Sequence, residues 1–282
     1  MTDRVLRLHD GRRLGYTEYG DPAGFPVINC HGGLVCRLDV TAADDVARRT
    51  SVRLISPDRP GIGWSDPQPG RTVLDWAADV SQLTKHLGVE RFSVMGWSLG
   101  GPYAAAVGYA QAAVHRVAIV AGAIPLDRPA AFAQLPLVDR VYARLSQRMP
   151  WAARQCFRAM TLVATAVPGL YGRVAARGLG PADAAVIRAE GFGTFARMSR
   201  EALRQPQGVV EEYRAWMRPW GFALEDLRVG VDVWAGADDA LLDPRWPHDL
   251  ARRIPHAVLH VRPGGHFVAH LHYREIFESL KG

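Results

Sequence analysis

The stretch Val94-Met95-Gly96-Trp97-Ser98-Leu99-Gly100-Gly101 constrains this chain more than any other. Phe92 to Met95 is strand-like, and Pro102 to Val107 has the composition of a helix. Between them lies Gly-x-Ser-x-Gly. The turn is so tight that its serine takes a strained backbone conformation, and its glycines leave room for strand and helix to meet. A hydroxyl at such an apex stands exposed at the end of a buried strand. Ser98 is therefore a candidate nucleophile.

Taken from the N-terminus, Arg4–Leu8 and Arg13–Tyr19 alternate apolar and polar residues around Asp10-Gly11, which predicts a hairpin. Pro26 to Cys30 is a buried-strand run that ends in the loop His31-Gly32-Gly33. Asp39–Arg49 reads as a helix, Val52–Ser56 as a strand, and Asp58 to Ser65 as the loop that closes it. Thr72 caps a helix to about Leu87, with Val73, Trp76, Val80, Leu83 and Leu87 on one face. The strand before Ser98, a helix to about Ala112 and a strand over Val114–Val120 follow. Strands alternating with helices predict a mostly parallel central sheet flanked by helices, an α/β fold.

The alternation stops near Pro125. Residues 126–225 hold amphipathic helical runs broken by Pro and Gly: Leu137–Arg148, Trp151–Ala166, Leu170–Arg177, Pro181–Ala189, Phe195–Leu203 and Gly208–Met217. Strand-like sequence returns at Val229–Trp234, then a helix over Pro244–Arg253, a strand over Ala257–Val261, and a last helix over Phe267–Leu280. The expected organisation is a core built from 1–125 and 226–282, with 126–225 inserted as a helical cap, or lid.

Composition sets limits. No run approaches 18 unbroken apolar residues, so no membrane span is expected. The N-terminus lacks the apolar stretch of a signal peptide. Cys30, Cys36 and Cys156 form neither a disulfide framework nor a metal-ligand spacing, which points to the cytoplasm and to no metal site. The chain carries 34 Lys+Arg against 28 Asp+Glu, a net +6. Residues 126–225 hold 14 Arg and 8 Asp+Glu, 14 − 8 = +6, so the rest is neutral on balance.

These features resemble the α/β-hydrolase superfamily along essentially the whole chain, in its lidded serine-esterase and haloperoxidase-like branch. In that fold a serine, an acid and a histidine follow in this order on loops at one edge of the sheet. The matching residues are Ser98, an aspartate in Gly236-Ala237-Asp238-Asp239, and His266 in Gly264-Gly265-His266-Phe267. The family pattern places the acid three residues after the glycine, at Asp239, with Asp238 and Asp127 as alternatives. Asp243, before Pro244, reads instead as a helix N-cap. His31-Gly32-Gly33 looks like the oxyanion loop, so the resemblance implies that the amides of Gly33 and Leu99 form an oxyanion hole. Asp58 to Ser65 looks like the family's D-x-x-G-x-G-x-S turn, and Trp220 to Leu227 like its re-entry from lid to core. Trp97 and Leu34 are candidate substrate-pocket residues.

The expected activity is a cofactor-independent hydrolysis of an ester, lactone or thioester. Ser98 disfavours the aspartate-nucleophile dehalogenases and epoxide hydrolases. Gly-Gly-Leu-Val after His31 departs from the Gly-Gly-Pro-Gly of proline iminopeptidases. Neither Lys85 nor Lys281 is placed for a lysine-assisted lyase. A biosynthetic cyclase, a C–C bond hydrolase and a receptor that retains the triad share the same residues. The substrate is expected to be small and apolar, from Phe132, Leu135, Val138, Tyr142, Phe157, Met160, Phe192 and Phe195 in the cap. An acidic carrier protein is the macromolecule that the cap charge would suit. No nucleic-acid or membrane partner is expected.

The cap charge has a measurable consequence. If it steers an anionic or carrier-bound substrate, kcat/KM for that substrate falls between about 0.01 and 0.5 M salt, as the screening length shrinks from about 30 Å to a few Å. An equal response from a neutral ester of the same size would show that the charge plays no part in substrate choice.

Overall fold

The structure, a computed structural model, describes residues 2–126 and 129–282. Eight strands form one sheet: β1 (Thr2–Arg7), β2 (Arg13–Gly20), β3 (Phe25–Cys30), β4 (Val52–Pro57), β5 (Phe92–Trp97), β6 (Val114–Val120), β7 (Gly230–Gly236) and β8 (Val258–Arg262). Their order is β1-β2-β4-β3-β5-β6-β7-β8. The hairpin β1–β2 is antiparallel, and β2 joins β4 antiparallel. From β4 across to β8 every pairing is parallel. Parallel strands are covered on both faces, and β5 is buried at every residue.

Helices α1 (Asp44–Arg49), α2 (Trp76–His86), α3 (Gly100–Ala110), α11 (Arg245–Arg253) and α12 (Val268–Lys281) alternate with the strands. Between β6 and β7 lie α4 (Pro129–Ala133), α5 (Leu137–Arg148), α6 (Pro150–Ala166), α7 (Pro168–Gly178), α8 (Pro181–Glu190), α9 (Phe192–Ala202) and α10 (Pro206–Trp216). Proline stands at the first helical positions of α6, α7, α8 and α10, where its missing N–H costs nothing. Among the described residues no helix is long and apolar enough to cross a membrane.

Three local expectations change. The helix expected from Asp39 starts at Asp44, after a short 3₁₀ turn over Thr41–Ala43. Asp39 is used elsewhere: its carboxylate accepts from Asn29 Nδ2 at 2.8 Å and from the Gly32 amide at 3.0 Å. Thr72 does not cap α2. It donates its N–H and hydroxyl to Asp75, and the helix begins at Trp76. Asp243 is one residue too early to cap α11, whose N-cap is Pro244, although its carboxylate does accept the Arg245 amide at 2.9 Å.

The inserted helices are tied to the sheet by buried charge. Arg59, in the loop after β4, is fully buried. It donates to Glu212 of α10 at 2.7 Å, to the Gly32 carbonyl at 2.9 Å and to the His31 carbonyl. Glu212 is the carboxylate that neutralises it. Removing one partner of such a pair strands the other charge in the interior. Glu212→Ala is therefore expected to lower the unfolding free energy by about 3–5 kcal/mol in denaturant titration. A loss under about 1 kcal/mol, the range of an exposed pair, would contradict this account.

Candidate active site

The parallel strands end on one edge of the sheet, and the loops that leave it carry the polar residues of interest. That is where open α/β sheets place their ligands. Ser98 follows β5 with φ +54°, in the left-handed region that a β-carbon disfavours. Sterics explain the flanking glycines. A β-carbon on Gly100 would lie 1.9 Å from the Cys30 carbonyl oxygen, and one on Gly96 2.3 Å from the Gly100 carbonyl oxygen. The strained turn is held by Ser98 N–H donating to the Val120 carbonyl at 2.9 Å.

The structure brings Ser98, His266 and Asp239 into one line. Ser98 Oγ lies 2.9 Å from His266 Nε2, and His266 Nδ1 lies 3.0 Å from Asp239 Oδ2. Asp239 Oδ1 accepts the Leu241 and Leu242 amides at 2.8 and 3.1 Å. Burial pushes the Asp239 carboxyl up. The hydrogen bond and charge of His266, with those two amides, outweigh it and hold the carboxyl below its ordinary range. Asp238 is exposed, and its amide donates to the Gly264 carbonyl at 2.9 Å. Asp127 lies outside the described residues. Ser98 itself is half-buried.

The His31-Gly32-Gly33 loop comes to the same place. Gly33 packs on Leu99, since a β-carbon there would stand 3.4 Å from Leu99 Cδ2. Among the described residues, neither the Gly33 nor the Leu99 amide has an acceptor within the chain. His31 is fully buried and orders this loop. Its Nδ1 lies 2.8 Å from the Gly32 carbonyl, and its Nε2 accepts the Arg59 amide at 3.1 Å. Burial, with the Arg59 charge beside it, holds this imidazole well below its ordinary range. Asp39 grips the Gly32 amide from the other side, and burial raises its carboxyl to about 7. Leu34 follows with φ +58°. Trp97 is buried, and its indole donates to the His266 carbonyl at 2.8 Å, bracing the histidine loop.

Four residues that shape the site escape a reading of the sequence: Asp39, Arg59, Glu212 and Asp183. The last accepts the amides of His266 at 2.9 Å and Phe267 at 2.8 Å. Asp183 stands in the first turn of a helix, where an acidic residue is expected for the helix dipole alone, so nothing marks its partner. No group of three or more His, Cys, Asp or Glu able to hold a metal occurs among the described residues.

Residues 30–279 match the model of the alpha/beta hydrolase family, and the chain belongs to that family. Over 128 residues it is 31% identical to a proline iminopeptidase of Xanthomonas citri, and over 114 residues 34% identical to one of Xylella fastidiosa. Those matches cover 44% and 38% of this chain and 40% and 34% of the relatives, so the chain spans well under half of their length. Among solved structures, a thermophilic esterase from Thermogutta terrifontis superimposes with a TM-score of 0.72 at 22% identity, covering 100% of this chain and 97% of that one. An enol-lactonase from Burkholderia xenovorans LB400 gives 0.72 at 17% identity, covering 99% and 98%. These similarities show the fold, and the family and its relatives are hydrolases.

The geometry separates the two adjacent aspartates. Asp239→Asn, which favours the wrong imidazole tautomer, is expected to lower kcat by about 10⁴. Asp238→Asn is expected to leave it within about threefold, as a change at an exposed side chain away from the chemistry does. The reverse order, measured on any substrate turned over, would move the acid by one residue.

Proposed function

We propose that this chain is a serine hydrolase that cleaves a carboxylic ester, lactone or thioester through an acyl-enzyme on Ser98. The observation that carries the reading is the continuous hydrogen-bonded line from Ser98 Oγ through both nitrogens of His266 to Asp239. A serine hydroxyl is a weak nucleophile until a base takes its proton, and His266 Nε2 stands at the distance for that transfer. Ser98 Oγ attacks the carbonyl carbon while its proton passes to His266. The tetrahedral oxyanion is received by the amides of Leu99 and Gly33, which have no other acceptor among the described residues. The imidazolium then protonates the leaving oxygen or sulfur. Water, activated by the same imidazole, releases the acid and restores Ser98. Asp239 holds Nδ1–H and stabilises the charge on the ring.

In this reading α4–α10 form the cap over the site, Trp97 and Leu34 flank the acyl group, and the substrate is a small apolar molecule. The three unpaired cysteines support a place in the reducing cytoplasm.

A second reading has an observation of its own. The partial identity to two proline iminopeptidases favours a peptide substrate with a free N-terminal proline. The same serine would then be acylated by an amide. Short-chain 4-nitrophenyl esters and lactones compared with proline 4-nitroanilide separate the two by kcat/KM.

Ser98→Ala is expected to keep the fold and to lose roughly four to six orders of magnitude in kcat/KM. Residual activity above about a tenth of wild type would remove Ser98 from the mechanism. The kcat/KM of the wild type is expected to rise with pH to a plateau, because an imidazole must be unprotonated to accept the serine proton. A profile flat with pH would point to another base.

A further inference from the structure

Helix α8 brings one carboxylate onto the backbone of the histidine loop. Asp183 is 1% exposed, and its two oxygens each accept one amide: Oδ2 that of His266 at 2.9 Å, Oδ1 that of Phe267 at 2.8 Å. Phe267 is the N-cap of α12 and has no side-chain cap of its own. Asp183 therefore satisfies, from another part of the chain, the two backbone N–H groups that lead into α12. It also stands in the first turn of α8. A carboxylate between the N-terminal ends of two helices sits where both dipoles favour negative charge.

The fit is specific. A β-carbon on Gly265 would fall 2.4 and 2.6 Å from the two Asp183 oxygens, so the loop can approach the carboxylate only with glycine there. The face of α8 that carries Asp183 continues through buried Ile187 to Glu190, at the i, i+4, i+7 spacing of one helical stripe. Glu190 lies 3.2 Å from Nε2 of His270, one turn further along α12. The helix thus reaches the start of α12 at two points, Asp183 at the His266–Phe267 backbone and Glu190 at His270.

We propose that Asp183 is a positioning residue of the active site: it holds the His266–Phe267 backbone from the cap, so that the imidazole is fixed between Ser98 and Asp239 only while α8 is seated, and its charge stabilises the imidazolium formed in turnover. This rests on the serine-hydrolase reading above. Both Asp183 oxygens act as acceptors only, the role of an ionised carboxyl. Burial raises this carboxyl. The two amides and the His266 charge pull it back, while the Asp239 charge adds to the rise. The groups that face His266 are Ser98 from the turn after β5, Asp239 from the loop after β7, Asp183 from α8, and Asp139 from α5. Asp139 accepts the Tyr213 hydroxyl at 2.7 Å and feels the His266 charge. His270 is held to about 4 by burial and stays neutral where the enzyme would work.

The same two hydrogen bonds would serve a mere anchor for α8, so the test must read the charge. The measurement is the second-order rate of labelling by a fluorophosphonate, from about pH 5 to 9, with the labelled residue located by mass spectrometry. In that reaction Ser98 Oγ bonds phosphorus, fluoride leaves, and the serine proton passes to His266. Wild type is expected to label at Ser98. Asp183→Ala is expected to label about 10- to 100-fold more slowly at neutral pH, the scale of a sub-ångström to 1 Å misplacement. Asp183→Asn keeps the shape and one acceptor but loses the charge. The imidazolium then deprotonates more easily, and the rising limb moves to lower pH by about half a pH unit or more. Should Asp183→Ala fail to fold, the isosteric Asp183→Asn still carries this pH test.

Variants that keep the wild-type rising limb, whether or not they label more slowly or melt earlier, would make Asp183 a structural anchor and overturn the inference. A wild type that does not label at Ser98 would instead overturn the serine-hydrolase reading, and this inference with it.

Discussion

The arrangement depends on the close crossing of β5 and α3 on either side of Ser98. At Gly100 the backbone comes so near the end of β3 that a single β-carbon would lie 1.9 Å from the Cys30 carbonyl oxygen. That proximity sets the position of the His31–Gly33 loop relative to the serine, because the loop is the direct continuation of β3. It also forces Ser98 into its left-handed conformation, which lifts the hydroxyl clear of the sheet. Strain of this kind costs on the order of 1–3 kcal/mol and persists only where surrounding packing over-determines it. Here β5 is buried throughout, and the Val120 carbonyl holds the Ser98 amide.

Around that turn, polar groups rather than apolar ones fix the loops. Asp39 and Arg59 grip the His31–Gly32 backbone from opposite sides, and Arg59 passes the connection on to Glu212 in α10. Arg37, also buried, pairs with Asp58 at 3.0 Å and with Glu201 of α9 at 3.1 Å. Buried charges of this kind add little net stability, but they penalise every arrangement in which they are not paired. The two loops that would receive an oxyanion and carry the base are therefore held partly by residues of the inserted helices. Placement of those helices and geometry of the site are one problem.

Much of this was legible in the amino-acid sequence. Periodicity located all six principal helices of the insertion to within three residues at either end, helped by prolines that open four of them. The short helix α4 was not seen, because five residues carry no usable period. Ser98 and His266 stood out through their glycine-rich turns. The choice of Asp239 over Asp238 came from a family register and not from the residues, which are chemically identical. Three of the residues that were missed, Asp183, Arg59 and Asp39, share a physical cause. Asp183 bonds a backbone amide 83 positions away, and Arg59 bonds two carbonyls and a glutamate of another helix. A backbone partner leaves no side-chain signature. Asp39 misled for the related reason that an aspartate at the start of a helical run and one that grips a loop look the same until the loop is folded.

The central claim is that Ser98 becomes covalently acylated, and rapid mixing tests it most directly. With an activated ester such as 4-nitrophenyl acetate, the account predicts a burst of nitrophenolate that approaches one equivalent per chain when deacylation is slower than acylation. Under the same acid-quenched conditions, intact mass would rise by one acetyl group, localised to Ser98 and absent from Ser98→Ala. A burst without any acyl adduct, or with the adduct on another residue, would contradict it.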